Sequence, residues 1–304
     1  EGAIVIEDVP CERGTVAEVA ELVAPVMGTI YGDVFDVQAQ KDPVNLAYSQ
    51  LGLELHQDLA YYESPPGIQL LHCVEFGDAI QGGESTLMDV MAVAEQFREI
   101  CPAAFDILAS VPATLHKVHY ARDTPVHMVY QRPHVTTATV DKLHRPLPAG
   151  SREGAITTVS WAPVFEGPLC VHPSAVEAYY EAYSAFARVI KGRERYANSG
   201  APNSGAFIKF KLKPGDLVMF NNRRMLHGRE AFGIKGASEG DGEATARHLQ
   251  GCYINIDEYK SSLAFMTAAA QLEAAGVSPS SPQAHLHAAA QNVVVKRVGN
   301  QCMA

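Results

Sequence analysis

FIKFKLKPGDLVMFNN, residues 207–222, decides the fold. Two apolar runs of strand length, FIKFKL (207–212) and DLVMFNN (216–222), flank Lys213-Pro214-Gly215, a tight turn with proline at a favoured position. Working outward, ARHLQGCYINI (246–256), IQLLHCVEF (68–76, entered through the turn PPG at 65–67) and AITTVSWA (155–162) read as further strands. VMAVAEQFREI (90–100) predicts a helix, with Asp89 as N-cap and Val90, Val93, Ala94, Phe97 and Ile100 near helical spacing. The clearest helix is 174–191, where Val176, Tyr179, Tyr180, Tyr183, Phe186, Ala187 and Ile190 form one apolar stripe, so its tyrosines read as core. Residues 110–155, rich in Pro, His, Thr and Arg, predict long loops and short strands. A sheet-rich C-terminal half with one long inserted helix gives a mainly β (α+β) class, sandwich or barrel, and excludes a doubly wound α/β fold. We expect one unit over 1–264 with a helical insert near 174–191. Residues 265–304, Ala-rich with SPSSPQ between two helical patches, form a helical C-terminal extension suited to covering a sheet edge or pairing two copies as a homodimer.

Composition narrows the function. With 304 residues, 47% of them hydrophobic, the chain can bury a large core. A net charge of -10 and the lack of any Lys/Arg run leave nothing to neutralise phosphates, so a nucleic-acid or membrane-surface partner is excluded and a small-molecule substrate expected. No apolar run reaches the length of a bilayer span. The opening EGAIVIEDVP lacks the regions of a signal peptide, and the missing initiator Met points to a start further upstream. Cysteines at 11, 73, 101, 170, 252 and 302 contain no C-x-x-C pair, which fits reduced, mostly buried thiols in a cytoplasmic protein.

Chemistry enters with LELHQDLAYYESPPG (53–67). Residues i and i+2 of an extended segment face the same way, so a strand ending here aims His56 and Asp58 at one point. Two ligands do not make a site. A 2-His-1-carboxylate triad needs a second imidazole and leaves positions open for a chelating cosubstrate and dioxygen. His227, in MFNNRRMLHGR (219–229) directly after a strand, is the candidate.

HQDLAYYESPPGIQLLHC (56–73), GGESTLMD (82–89), KPGDLVMFNNRRMLHGRE (213–230) and ARHLQGCY (246–253) stand in this order. Together they resemble the γ-butyrobetaine dioxygenase and trimethyllysine dioxygenase branch of the TauD-like, Fe(II)- and 2-oxoglutarate-dependent oxygenases, over about residues 25–260. The resemblance implies a double-stranded β-helix (jelly-roll) core with flanking helices and Fe(II) held by His56, Asp58 and His227. It implies that Arg247 grips the distal carboxylate of 2-oxoglutarate, a task suited to a guanidinium fork, with help from the Ser85 hydroxyl. It also implies an aromatic cage of Tyr31, Phe35, Tyr48 and Tyr253 for a trimethylammonium, with Asn45 as an amide meeting the substrate's carboxylate. The implied reaction, like a step of carnitine biosynthesis, hydroxylates an unactivated C–H of a small quaternary-ammonium acid. It consumes O2 and releases succinate and CO2, with ascorbate as reductant.

Several positions depart from the family pattern. Arg247 follows His227 across GIKGASEGDGEATA (233–246), longer than the family's gap and read here as a surface-loop insertion, with Arg229 as the fallback. Phe35 replaces a larger Trp. VSWAPVFEGP (159–168) lacks the amides that help hold the substrate's acid, and Asn221, Asn222 and Arg223 replace an Asp-Asn-Trp stretch. The counter-charge candidates are Arg223 or a basic residue of the 117–134 stretch such as Arg122 or Arg132, arginines being more often solvated surface. No thiolate cluster precedes residue 25, where the family carries a zinc module. Rival substrates are a trimethylammonium phosphonate, a trimethyllysine-like compound or a small amino acid. The rival class is a non-catalytic barrel that only binds, against which the intact His56, Asp58, His227 and Arg247 weigh.

Overall fold

The computed structural model describes residues 2–38, 49–148, 151–198 (backbone only from 193), 206–234, 247–274, 276 and 278. The chain runs through β1 (Ala3–Ile6), α1 (Thr15–Glu21), β2 (Val34–Gln38), β3 (Leu53–His56), β4 (Ile68–Phe76), β5 (Ile80–Gly82) and β6 (Ser85–Asp89). Two helices, α2 (Val90–Ile100) and α3 (Pro102–Ser110), lead to a hairpin of β7 (Pro112–His119) and β8 (Val126–Pro133). Next come β9 (Val135–Thr137), β10 (Ile156–Val159) and the long α4 (Val176–Asn198). The last elements are β11 (Phe207–Phe210), β12 (Leu217–Asn221), β13 (Met225–Arg229), β14 (Phe232–Ile234), β15 (Arg247–Ile254) and α5 (Ile256–Ala274).

Two antiparallel sheets, ordered β1-β12-β4-β15-β2 and β11-β6-β13-β3, make the jelly roll. Strand parity builds it. On β12, Val218 and Phe220 point between the sheets to meet Leu87 and Met225 of the other sheet, while Leu217 and Met219 point outward under α1. Burial on both faces is why these strands read as continuous apolar runs rather than alternating ones. The β11–β12 turn forms as predicted: Asp216 N–H donates to the Lys213 carbonyl at 2.9 Å, and Gly215 takes the positive φ of 89° that a side chain would resist. Outside the four-stranded sheet, α2, α3 and α4 pack around Phe97, Phe105, Phe186 and Trp161. Asp89 caps α2 by accepting from Ala92 N–H, as expected.

Other expectations need correction. The stretch 110–155 holds two strands of eight residues each, β7 and β8, paired along their whole length. The stripe of α4 is narrower than predicted, since Val176 and Tyr180 are exposed and only Tyr179, Ala182, Phe186 and Ile190 are fully buried. Ile100, at the end of α2, is exposed too. Cys73 and Cys252 are buried, but Cys11 and Cys170 lie on the surface. α5 runs unbroken through the 264/265 position. No helix among the described residues is long and apolar enough to cross a membrane.

Candidate metal centre and its surroundings

β3 and β13 lie side by side, and their register sets His56 directly opposite His227. The two imidazole centroids are 4.3 Å apart. Asp58, two residues beyond His56, brings Oδ1 within 3.3 Å of His56 Nε2 and Oδ2 within 3.6 Å of His227 Nε2. One ligand atom from each residue lies within 4.8 Å of the others, a donor set that suits a divalent transition metal with open coordination positions.

The surroundings hold these donors in place. His56 Nδ1 donates to the Glu54 carbonyl at 2.8 Å, which orients the ring with Nε2 toward Asp58. Asp58 Oδ2 accepts from Gln69 Nε2 (2.8 Å) and from the Tyr253 hydroxyl (2.7 Å). Gln69 and Tyr253 are paired across β4 and β15 on the inward face, so the five-stranded sheet positions a ligand carried by the other sheet. The Asn222 side chain accepts from Asp58 N–H and donates to the Asp58 carbonyl, both at 3.0 Å. Burial alone would push the Asp58 carboxyl up. The His227 and His56 imidazoles outweigh it and hold the group well below the usual carboxylate range. For His227, burial and the neighbouring His56 lower the imidazole's pKa against the pull of Asp58.

Arg247 opens β15 on the same inward face as Leu249, Gly251 and Tyr253. It is only 3% exposed, its Nε has no hydrogen-bond partner among the described residues, and its guanidinium lies 5.6 and 5.2 Å from the ring centroids of Phe76 and Phe232. No carboxylate among the described residues pairs with this buried cation, an arrangement that is costly unless the charge is compensated. Gly83 makes room for it, since a Cβ there would stand 3.3 Å from Arg247 Nε. Ser85 is paired with Arg229 as Leu87 is with His227, so Ser85, Arg229 and His227 share the inner face. Arg229 donates to the Ser49 and Leu51 carbonyls, both at 2.7 Å.

Of the expected cage, Tyr31, Phe35 and Tyr253 come together; Asn45 and Tyr48 lie outside the described residues. Phe35 stacks on Tyr253 at 5.1 Å and meets Tyr31 at 6.2 Å. Gly251 permits this, because a Cβ there would meet the Phe35 ring at 2.3 Å. Two rings that sequence reasoning missed extend the wall. Tyr61, its hydroxyl 3.4 Å from that of Tyr31, packs edge-on against Phe165 at 5.0 Å, and Phe165 meets His56 at 6.4 Å. The AYY run after Asp58 was the available signal for Tyr61.

The counter-charge arginines are not solvated surface. Arg223 donates to the Pro65 carbonyl (3.1 Å) and Ser64 hydroxyl (2.9 Å), and Arg132 to the Tyr62 and Glu63 carbonyls. Both clamp the loop after Asp58. Arg122 reaches the Ile30 carbonyl and lies 5.6 Å over the Tyr31 ring.

A family model described as taurine catabolism dioxygenase TauD, TfdA family, matches residues 1–253. Dioxygenase str8 of Strobilurus tenacellus is 29% identical over 262 residues, which is 84% of this chain and 54% of that protein. The γ-butyrobetaine dioxygenase of Pseudomonas sp. (strain AK-1) is 31% identical over 257 residues, 84% of this chain and 57% of that one. The chain thus spans about half the length of the curated relatives it matches. Among solved structures, the non-heme iron oxygenase OrfP in complex with Fe, succinate and (3R,4R)-dihydroxy-L-Arg aligns with a TM-score of 0.53 at 14% identity, over 84% of this chain and 76% of that one. That likeness speaks for the fold. With most of its length matched and its inward-facing His56, Asp58 and His227 gathered in a jelly roll, the chain belongs to the TauD/TfdA dioxygenase family.

Proposed function

We propose that this chain is a 2-oxoglutarate-dependent non-haem iron dioxygenase that hydroxylates a small quaternary-ammonium acid resembling γ-butyrobetaine. His56, Asp58 and His227 would hold Fe(II), and Arg247, with Ser85, would hold the distal carboxylate of 2-oxoglutarate. The observation that carries the reading is Arg247: a guanidinium buried without an anionic partner among the described residues, inside the barrel that carries the triad. A barrel that only binds metal has no use for it. With dioxygen, Fe(II) held there and 2-oxoglutarate would supply oxidative decarboxylation to succinate and CO2 and the insertion of one oxygen into C–H.

The protein's part is placement. Gln69 and Tyr253 fix the Asp58 carboxylate, and the Glu54 carbonyl fixes the His56 tautomer. Tyr31, Phe35 and Tyr253, joined by Tyr48, would present ring faces to a trimethylammonium, each worth about 0.5–2 kcal/mol to a desolvated cation. Holding the substrate at both ends selects the carbon presented to the metal. The test is succinate release from 2-oxoglutarate with Fe(II) and ascorbate across a panel of quaternary-ammonium acids. Stimulation by at least one member is expected, and none from any member would overturn the γ-butyrobetaine-like reading.

A further inference from the structure

The β7–β8 hairpin lies over the aromatic wall, and its inward face carries a charge that packing does not explain. Directly paired residues of an antiparallel hairpin project to the same side. Leu115 with Tyr130, and Lys117 with Met128, therefore share one face. Leu115 is fully buried with Tyr61, Ala162 and Tyr253, and Met128 packs on the same cluster, which identifies that face as the one turned to the site.

Lys117 is thus directed inward. Its ammonium stands 5.9 Å from the centroid of Phe165, the ring that meets His56 edge-on. Among the described residues it has neither a carboxylate nor a hydrogen-bond acceptor. Its charged neighbour is a like charge, Arg122, and burial followed by that repulsion lowers the ammonium's pKa. A hairpin selected for stability alone would carry an apolar residue at 117, as it does at 115 and 128. Arg122, Arg132 and Arg223 are all engaged with backbone carbonyls, and the stretch 159–168 offers no amides for a substrate acid. An ammonium on a flexible stem is suited to that task.

We propose that Lys117 is the specificity-determining residue that binds the acid group, carboxylate or phosphonate, of the substrate. The proposal rests on the oxygenase reading above, and it deepens that reading by fixing where the anionic end is held. The acid lies under the hairpin while the cationic end faces the rings of Phe35 and Tyr253.

Calorimetric titration of the full chain, loaded with Fe(II) and 2-oxoglutarate under nitrogen, tests it with matched pairs: γ-butyrobetaine against its primary amide, and the phosphonate analogue against its diethyl ester. The parent should prefer at least one acid over its neutral partner by about 10- to 100-fold, the worth of one charged hydrogen bond; which pair shows it identifies the acid. Lys117→Met and Lys117→Gln should bring that preference within about twofold without weakening the neutral partner, and Lys117→Arg should keep most of it. No acid preference in the parent, or an equal preference in both neutral variants, overturns the proposal. Succinate release on the same preparations reports separately: a Lys117-dependent preference without substrate-stimulated succinate supports Lys117 and strikes the oxygenase reading instead.

Discussion

Replacing Arg247 with Met should stabilise the protein while abolishing its response to 2-oxoglutarate. Burial, with Arg229 nearby, brings the guanidinium from its ordinary value down to about 10. At ~1.4 kcal/mol per pH unit, that gap corresponds to about 3 kcal/mol held against the charged form. The folded value lies below the unfolded one, so the cost is present in full below pH ~10 and disappears only above pH ~12.5. At neutral pH the protein carries all of it. Phe76 and Phe232, facing the cation at 5.6 and 5.2 Å, return part of this cost, about 0.5–2 kcal/mol each. Methionine keeps an apolar stem against both rings and removes the charge, so a net gain of about 1 kcal/mol follows, or roughly 2 °C in Tm for a chain of this size. The parent, by contrast, should gain about 2.7 kcal/mol from 2-oxoglutarate at about a hundredfold excess over its Kd. Thermal melts with Fe(II) under nitrogen, with and without 2-oxoglutarate, measure both effects. If Arg247→Met melts several degrees lower and still rises with 2-oxoglutarate like the parent, the side chain is a structural cation and its assignment as the anion site is wrong.

Three further expectations follow from the same geometry. His56→Ala should lose bound iron by metal analysis together with all turnover; an iron-replete, active variant would remove the triad. Tyr253→Phe keeps the ring but deletes the 2.7 Å bond to Asp58 Oδ2, and should weaken iron binding about 10- to 100-fold in competition with a chromogenic chelator. Unchanged affinity would mean that Asn222 and Gln69 alone orient Asp58. His134, buried with Nδ1 donating to the Ser160 carbonyl and Nε2 accepting from Tyr179, has its pKa pushed down by burial to about 4. Its unfolded value near 6.5 lies higher, so stability is complete above that pH and falls as the unfolded chain takes up a proton, by about 2 kcal/mol at pH 5 and about 3 kcal/mol in all. Urea midpoints at pH 7 and pH 5 should show this drop in the parent but not in His134→Gln, and equal drops in both would locate the titrating group elsewhere.

Two of the strands that sequence reading finds, β4 and β12, are buried on both faces. IQLLHCVEF and DLVMFNN carry apolar side chains toward α1 and toward the sandwich interior at once, so each reads as an unbroken run. The His56-x-Asp58 spacing is legible for an equally local reason, the period of an extended chain. By contrast, the pairing of His56 with His227 is a fact of register between distant strands, and only the order of motifs hinted at it. The β7–β8 hairpin escapes notice because its inward positions hold Lys117 and Arg132 among Leu115, Met128 and Tyr130, which breaks the alternation that marks a half-buried strand. That failure is informative. Gln69 is the inward amide of a largely apolar run and turns out to hold Asp58, and Arg247 is the inward cation of β15 and stands without an anion among the described residues. Polar residues are costly at such positions unless they are satisfied. For Gln69 and Arg247 that cost falls on the face turned toward the metal centre, so these two breaks in strand pattern point to the site.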